Sequence, residues 1–501
     1  MTRVQREPES RVPALRVRAG NERPLADGDH VLYWMIAARR TGWNFGLERA
    51  VEWARTLAKP LLVLEPLRVA YPFASARFHR FVLDGMADHA RHFAQRGIAY
   101  WPYVEPEAGA GQGLLEALGK RACVVVTDEY PTFFLPRMVA AAGEQLGVRL
   151  EVVDSNGLVP LAATPGAFGT AFAFRRWLQQ HLGEHLQAFP RVDPLEGRQA
   201  GPFEVPRALA RRWPAAPAAL LAGDAGALAA LPLDHTVPAV ETRGGDGAAA
   251  AVLARFVAER LARYGEDRNH PDEEATSGLS PYLHFGHVAA HAVFTAVTAA
   301  EGWKGLDPRR KPDGRRGGFG ASPSSEEFLD QLVTWRELGY GFAWHRADHQ
   351  RYESLPAWAR ATLEEHATAG RDVLALETLE QAASGDEVWD AAQTELRTTG
   401  QLHNYLRMLW GKSILAWSPT PREALRRMLH LNDRYALDGR DPNSCSGIFW
   451  CLGRFDRPWG PKRAGFGTVR YMSSASTRRK LHLTGYLARF GPGAHGLRRS
   501  P

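Results

Sequence analysis

The sequence predicts two fold classes in one chain, an N-terminal doubly wound α/β domain and a C-terminal all-helical domain. Three observations carry this. From His30 to Val159 short apolar runs alternate with amphipathic stretches. From residue 247 onward helical periodicity dominates and strand patterns nearly vanish, and between the two regions Ala, Pro, Gly and Arg accumulate without a sustained pattern. A length of 501 residues, 45% hydrophobic and 23% charged, accommodates that division in an ordinary globular composition.

Residues 1–29 are polar and basic and read as a flexible tail. The α/β domain is expected over 30–189, with strands at 31–35, 61–64, 98–104, 123–127 and 150–153 and helices at 44–58, 76–96 and 132–146. Such a parallel sheet offers a nucleotide-like ligand its carboxyl edge. The turn after the first strand, Ile36-Ala37-Ala38-Arg39-Arg40-Thr41-Gly42, lacks the GxGxxG pattern, which disfavours a dinucleotide dehydrogenase. Residues 190–246 read as an interdomain linker with one short helix. Residues 247–501 form the helical domain, with helices at 248–264, 287–300, 326–344, 388–417 and 421–432. The Gly-, Pro- and Arg-rich insertion from Trp303 to Ser325 reads as a mobile surface loop.

The net charge of +7 is unevenly spread. After residue 451 stand eleven basic residues (Arg454, Arg457, Lys462, Arg463, Arg470, Arg478, Arg479, Lys480, Arg489, Arg498, Arg499) against one acid, Asp456, which leaves the preceding chain slightly acidic. A local basic face of this kind suits a polyanion such as nucleic acid. Three cysteines form neither a disulfide framework nor a metal motif, and no metal is expected. Without a long apolar run or an apolar leader, membrane and secretory destinations are disfavoured, and a cytoplasmic monomer is expected.

Four constellations could carry chemistry. Thr276-Ser277-Gly278-Leu279-Ser280 places three hydroxyls and a glycine ahead of a helix, as a phosphate site does, and as an ordinary N-cap does. Nine of the fifteen tryptophans lie after residue 300; Trp410 and Trp417, seven apart on a helix, share a face as a redox pair or as core. Glu337, between Arg336 and Leu338, suits a hydrogen bond to a substrate carbonyl or an ion pair. The segment from Leu431 to Asn443 packs acids, amides and arginines around turn residues, more densely than capping alone explains.

Taken in order, Tyr33-Trp34-Met35, Val126-Thr127-Asp128, the run from Ser277 to Gly286, Arg336-Glu337-Leu338, Trp389-Asp390-Ala391-Ala392-Gln393, Leu431-Asn432-Asp433 and the run from Leu437 to Asn443 resemble the DNA photolyase/cryptochrome family, most closely the class II cyclobutane pyrimidine dimer photolyases. The resemblance implies an α/β antenna domain, a linker and a helical domain holding FAD, together with an antenna pigment of deazaflavin or folate type. It implies light-driven repair of pyrimidine dimers in DNA by electron transfer from excited reduced FAD to the flipped-out lesion. By resemblance, Tyr264, Thr276, Ser277, Gly278, Leu279 and Ser280 grip FAD, Arg407 pairs with Asp438 beside the flavin, and Asp441, Asp456 and Arg457 lie nearby. Asn432 faces flavin N5, where an amide can turn to offer a donor or an acceptor. Glu337 hydrogen-bonds the lesion. Trp389, Trp410 and Trp417 form an electron wire, and Trp335, Asn404, Met408, Trp450 and Trp459 border the lesion. Arg463, Arg470 and Lys480 bind DNA phosphates.

The chain departs from the class II pattern at Gly341, Asp390, Asn404 and Ser444-Cys445-Ser446. Two other outcomes stay open at this level, a cryptochrome-like photoreceptor without repair and repair of (6-4) photoproducts.

Overall fold

In the computed structural model, which describes residues 7–197, 201, 203–367 and 371–494, one six-stranded sheet organises the N-terminal part. Its strands are β1 (Val17–Ala19), β2 (His30–Trp34), β3 (Leu61–Leu67), β4 (Ala99–Val104), β5 (Ala122–Asp128) and β6 (Leu150–Val153), in the spatial order β1-β6-β5-β2-β3-β4. All neighbours are parallel except β1, which runs antiparallel to β6. Burial on both faces explains the nearly unbroken apolar runs of the central strands. Val31, Tyr33, Val63, Val124 and Val126 face a core shared with α1 (Phe45–Leu57) and with Phe93 of α2 (Ala76–Gln95). The alternate residues Leu32, Trp34, Leu62, Leu64 and Val125 pack on the other side against α3 (Leu114–Gly119) and α4 (Leu135–Gln145).

The chain divides into two compact units that interleave in sequence: Met1–Pro165, His181–Leu253 and Leu279–Ala296 form one, and Gly166–Gln180, Ala254–Gly278 and Val297–Pro501 the other. Three expectations about connecting segments are corrected. Residues 7–29 are not a free tail: Arg16 is buried and donates to the carbonyls of Asp154, Gly157 and Leu158, and β1 completes the sheet edge. Among its described residues the 190–246 segment carries the short helices Arg207–Arg212, Ala218–Leu221 and Ala225–Ala229. It is anchored on its own unit by buried Trp213, whose indole donates to Ala110 O at 2.9 Å, and by Leu220, which packs on Val82, Leu83 and Met86 of α2. The insertion after Trp303 is tied down as well. The Glu326 carboxylate accepts the backbone N–H groups of Phe319, Gly320 and Ala321, and the Trp303 indole donates to Phe319 O.

The second unit is helical. Its principal helices are Arg336–His345, Glu387–Thr399, Asn404–Ala416, Pro421–Tyr435 and Pro442–Trp450. The first continues from a π-helical stretch, Asp330–Trp335, a conformation often found at functional sites. Among the described residues no helix is long and apolar enough to cross a membrane.

Candidate active site

The sheet's strand order reverses between β2 and β5, where a doubly wound sheet opens a crevice for ligands. Here Asp128, the last residue of β5, closes it. Its carboxylate accepts the N–H groups of Ile36, Ala37 and Ala38 at 2.8, 2.8 and 3.0 Å and the Tyr33 hydroxyl at 2.6 Å. The anion-binding donors of this turn are therefore already satisfied by the chain itself, so they do not serve the nucleotide-like ligand expected at this edge.

The helical unit gathers a polar cluster around Arg407. Its Nη2 donates to both oxygens of Asp438 at 2.9 and 3.1 Å, and its Nη1 reaches Ser444 Oγ at 2.9 Å and Asn432 Oδ1 at 3.4 Å. Asn432 is buried at the C-terminal part of the helix Pro421–Tyr435, and its Nδ2 has three acceptors in reach: Gly439 O at 2.8 Å, Asp433 Oδ1 at 3.0 Å and Ser444 Oγ at 3.1 Å. Burial pushes the Asp433 carboxyl up to about 7, against the lowering effects of Asn432 and Arg440.

Glu337, 5% exposed, stands in the first turn of Arg336–His345. That helix crosses Pro442–Trp450 closely: a Cβ on Gly339 would come within 3.0 Å of Asn443 Cα and the Pro442 carbonyl. Tyr340 seals the crossing by donating to Asp441 Oδ2 at 2.5 Å, while Asp441 Oδ1 caps the second helix through the N–H of Asn443 at 2.7 Å. Arg336 lies 4.2 Å over the Tyr340 ring. The helix Pro442–Trp450 thus carries Ser444, which bonds Arg407 and Asn432, at one end and Trp450 at the other.

Beyond Trp450 the aromatic wall continues. The Arg470 guanidinium lies 5.6 Å from the Trp450 ring and 4.9 Å from that of Trp459, with Arg457 over Trp459 at 4.3 Å. Asp456 accepts the Trp459 indole N–H at 3.1 Å. Asp456 and Arg457 therefore belong with Trp459, and neither bonds to Arg407, Asn432 or Asp438. Met408 is half-buried, with its methyl 3.8 Å from the position a Cβ would take on Gly447. Trp335 is half-buried, and Asn404 is exposed at the start of its helix.

Trp389 and Trp410 are fully buried, and each indole N–H is satisfied, Trp389 by Trp410 O at 3.0 Å and Trp410 by Gln393 Oε1 at 2.8 Å. The Trp389 and Trp417 rings meet edge-to-face with centroids 5.3 Å apart.

The hydroxyl-rich motif divides between the two units. Thr276, Ser277 and Gly278 close a segment of the helical unit, with Gly278 at φ +69°, and Leu279 and Ser280 open a segment of the α/β unit. The residues that follow are structural. Tyr282 donates to Arg243 O at 2.7 Å, Arg40 donates to Gly286 O at 3.1 Å, and any Cβ on Gly286 would strike Ala37 O. Tyr264 is buried against Phe256 and Phe328.

Of the expected basic face, Arg463, Arg470 and Lys480 are exposed, with Arg463 4.6 Å from the Tyr471 ring. Part of the charge surplus is already spent: Lys462 pairs with Glu365, Arg478 with Glu387 and Arg489 with Glu274, while Arg454 is buried and donates to His349 O. Arg498 and Arg499 lie outside the described residues. Ser444, which bonds Arg407, and Tyr340, which bonds Asp441, join this cluster without having been expected in it; only Ser444 carried a signal, as a departure from the class II pattern.

A buried Arg–Asp pair beside an amide and a hydroxyl suits a polar heteroaromatic ring, and a hydroxyl-rich turn with a left-handed glycine suits phosphates, so the residues present fit a flavin nucleotide. The fold is that of the photolyase/cryptochrome class. It matches a class III photolyase from Agrobacterium tumefaciens with TM-score 0.67 at 18% identity, over 93% of this chain and 87% of that one. It matches a Synechocystis cryptochrome with TM-score 0.68 at 15% identity, over 93% and 89%. No family model matches the sequence. Curated relatives make the assignment specific. A deoxyribodipyrimidine photo-lyase of Methanothermobacter thermautotrophicus is 33% identical over 485 residues, 95% of this chain and 98% of the relative. One from Oryza sativa is 30% identical over 92% of this chain and 87% of the relative. The chain belongs to the deoxyribodipyrimidine photo-lyase family.

Proposed function

We propose that this protein is a lyase that repairs cyclobutane pyrimidine dimers in DNA in a light-dependent reaction, following the class II pattern. The observation that carries this reading is near-full-length likeness to relatives named for that reaction. Thr276, Ser277, Gly278, Leu279 and Ser280 would hold the FAD phosphates, with Arg407, Asp438 and Asn432 beside its ring system. When bound and reduced, FAD supplies on illumination the electron that opens the cyclobutane ring.

The chain's own residues position and polarise. The Arg407–Asp438 pair would form a charge-balanced floor, and Arg407, Ser444 and Gly439 hold the Asn432 amide in one orientation, against the expectation that it turns. Glu337 would hydrogen-bond a base carbonyl, for which its carboxyl would carry the proton. Met408, Trp450 and Trp459 would wall an extruded dimer, which costs less to flip out than a normal pair because the lesion already weakens stacking. Exposed Arg463, Arg470 and Lys480 would hold the flanking phosphates. An antenna pigment of deazaflavin or folate type would belong to the α/β unit, but not on the β2 turn donors that Asp128 occupies.

The test is illumination of the reduced protein, after its flavin content has been measured by absorbance, with oligonucleotides bearing either a cyclobutane dimer or a (6-4) product. Repair of the first alone is expected. Flavin without repair would identify a photoreceptor, and repair of the second would move the substrate assignment.

A further inference from the structure

The cations of the helical unit are unequally divided among its tryptophans. Trp389, Trp410 and Trp417 have no Lys or Arg over their rings among the described residues, and Trp389 meets Trp417 directly. Trp450 lies under two cations, the Lys412 amine with Nζ 5.2 Å from the ring centroid and the Arg470 guanidinium at 5.6 Å.

Lys412 is the unusual member. It is 0% exposed, and its Nζ donates to Cys451 O at 2.7 Å, with no carboxylate in an ion pair with it among the described residues. Burial pushes its amine down to about 8; of the groups facing it, Asp456 favours the ammonium, Arg470 opposes it, and the Cys451 thiol, itself pushed up to about 11 by burial, is neutral at pH 7. The amine is therefore mostly charged at neutral pH while sealed from water, an arrangement that burial alone disfavours.

A cation held on an indole ring makes electron loss from that ring harder, because the positive charge left behind repels it, and the low dielectric of a buried site strengthens the repulsion. We propose that Lys412, assisted by Arg470, keeps Trp450 from giving an electron to the photoexcited flavin, so that electron loss runs through the cation-free set Trp389, Trp410 and Trp417. The step moves one electron from a ring to the flavin and breaks no bond. Lys412 is a positioning residue for the electron's path, and Trp450 remains a wall for the lesion. This inference rests on the flavin reading above.

The experiment follows flavin photoreduction by absorbance in flavin-loaded variants. Trp389→Phe should slow it about tenfold; adding Lys412→Met should restore about fivefold by opening Trp450; and adding Trp450→Phe should remove the gain. Raising the pH from about 7 to about 9.5 should open the same route in Trp389→Phe, and Lys412→Arg, whose charge persists, should abolish that pH response. Illumination in air gives a second readout, because dioxygen adds to an oxidised Trp450 and opens its ring to N-formylkynurenine, which peptide mass mapping would find enriched in the Lys412→Met proteins. A Trp389→Phe/Lys412→Met protein with full flavin content and no recovery overturns the inference, leaving the flavin reading intact. A Trp389→Phe protein that photoreduces at the original rate overturns the wire beneath it, and the inference with it.

Discussion

Arg407 Nη2 donates to both carboxylate oxygens of Asp438 while Arg407 Nη1 reaches Ser444, so a single guanidinium ties together residues 31 and 37 positions away. Both charged side chains are nearly sealed from water, at 10% and 13% exposure. Asp438→Asn leaves Arg407 without its counter-charge, which costs about 3 kcal/mol in comparable buried pairs. The variant should lose most of its bound flavin and unfold at lower temperature, as read by absorbance and thermal denaturation. Ser444→Ala, which removes one neutral partner, should cost about 1 kcal/mol and retain flavin.

Glu337 separates repair from folding. Its helix is fixed by the Gly339 crossing and by the Tyr340–Asp441 bond, neither of which needs the Glu337 carboxylate. Glu337→Ala, which removes the donor that a Gln amide would retain, should keep flavin content while lowering dimer repair about tenfold or more, the scale of one lost hydrogen bond to the lesion. Parallel loss of flavin and repair would make Glu337 a structural residue. The comparison needs only repair yield per absorbed photon beside the flavin spectrum.

Strands β2 to β6 were legible because burial on both faces writes an apolar run into the sequence. Edge strand β1 was not, since Val17-Arg18-Ala19 is three residues long with a charge at its centre. The 190–246 segment hid its packing for a related reason: Trp213 and Leu220 are isolated anchors in an Ala- and Pro-rich stretch with no period to read. The motifs Leu431-Asn432-Asp433 and Leu437 to Asn443 marked Asn432 and Asp438, which the structure joins to Arg407. Ser444 and Tyr340 gain meaning only where helices cross, as Lys412 does through Cys451, 39 residues away. The basic surplus after residue 451 was overread in the same way, because its partners Glu274, Glu365 and Glu387 lie far upstream.

Alkaline pH should loosen the α/β unit through His89. This fully buried histidine bonds Glu65 at 2.7 Å and Asp246 at 3.2 Å, and Glu65 also accepts from Arg39 and Tyr100. Burial alone would lower its pKa, but the two carboxylates outweigh burial and raise it to about 10. A raised histidine stabilises fully below its unfolded value of about 6.5, and that contribution fades as pH climbs toward 10. Glu65, held down to about 2 by His89 and Arg39 against burial, contributes above about 4.5 and loses that as pH falls toward 2. The pair is therefore strongest between these limits. Urea unfolding should show a loss on the order of 2 kcal/mol between about pH 6 and pH 9.5. His89→Asn should remove its share of that slope, leaving the decline through pH 7 from Asp433 and Glu395, whose carboxyls burial raises to about 7, and an opposing rise above about pH 8 from Lys412, whose amine burial lowers to about 8.

The basic face should be divisible by experiment into spent and available charge. Lys462 and Arg478 are neutralised by Glu365 and Glu387, whereas Arg463, Arg470 and Lys480 are exposed, with no carboxylate paired to them among the described residues. Each phosphate contact contributes about 0.9 to the slope of log affinity against log salt on duplex DNA. Replacing Arg463, Arg470 and Lys480 together by Gln should then reduce that slope by up to about 3 and weaken damaged and undamaged DNA alike, because phosphates carry no sequence or lesion information. Replacing Lys462 and Arg478 should change the slope by less than about 1, since each substitution also frees an acid that was already offsetting the lost charge. Salt titrations of fluorescent duplexes, with and without a dimer, read both quantities. Equal slopes in the two variants would show that the acids do not offset those charges when DNA is present, and an unchanged slope in the triple variant would move the DNA-binding face elsewhere.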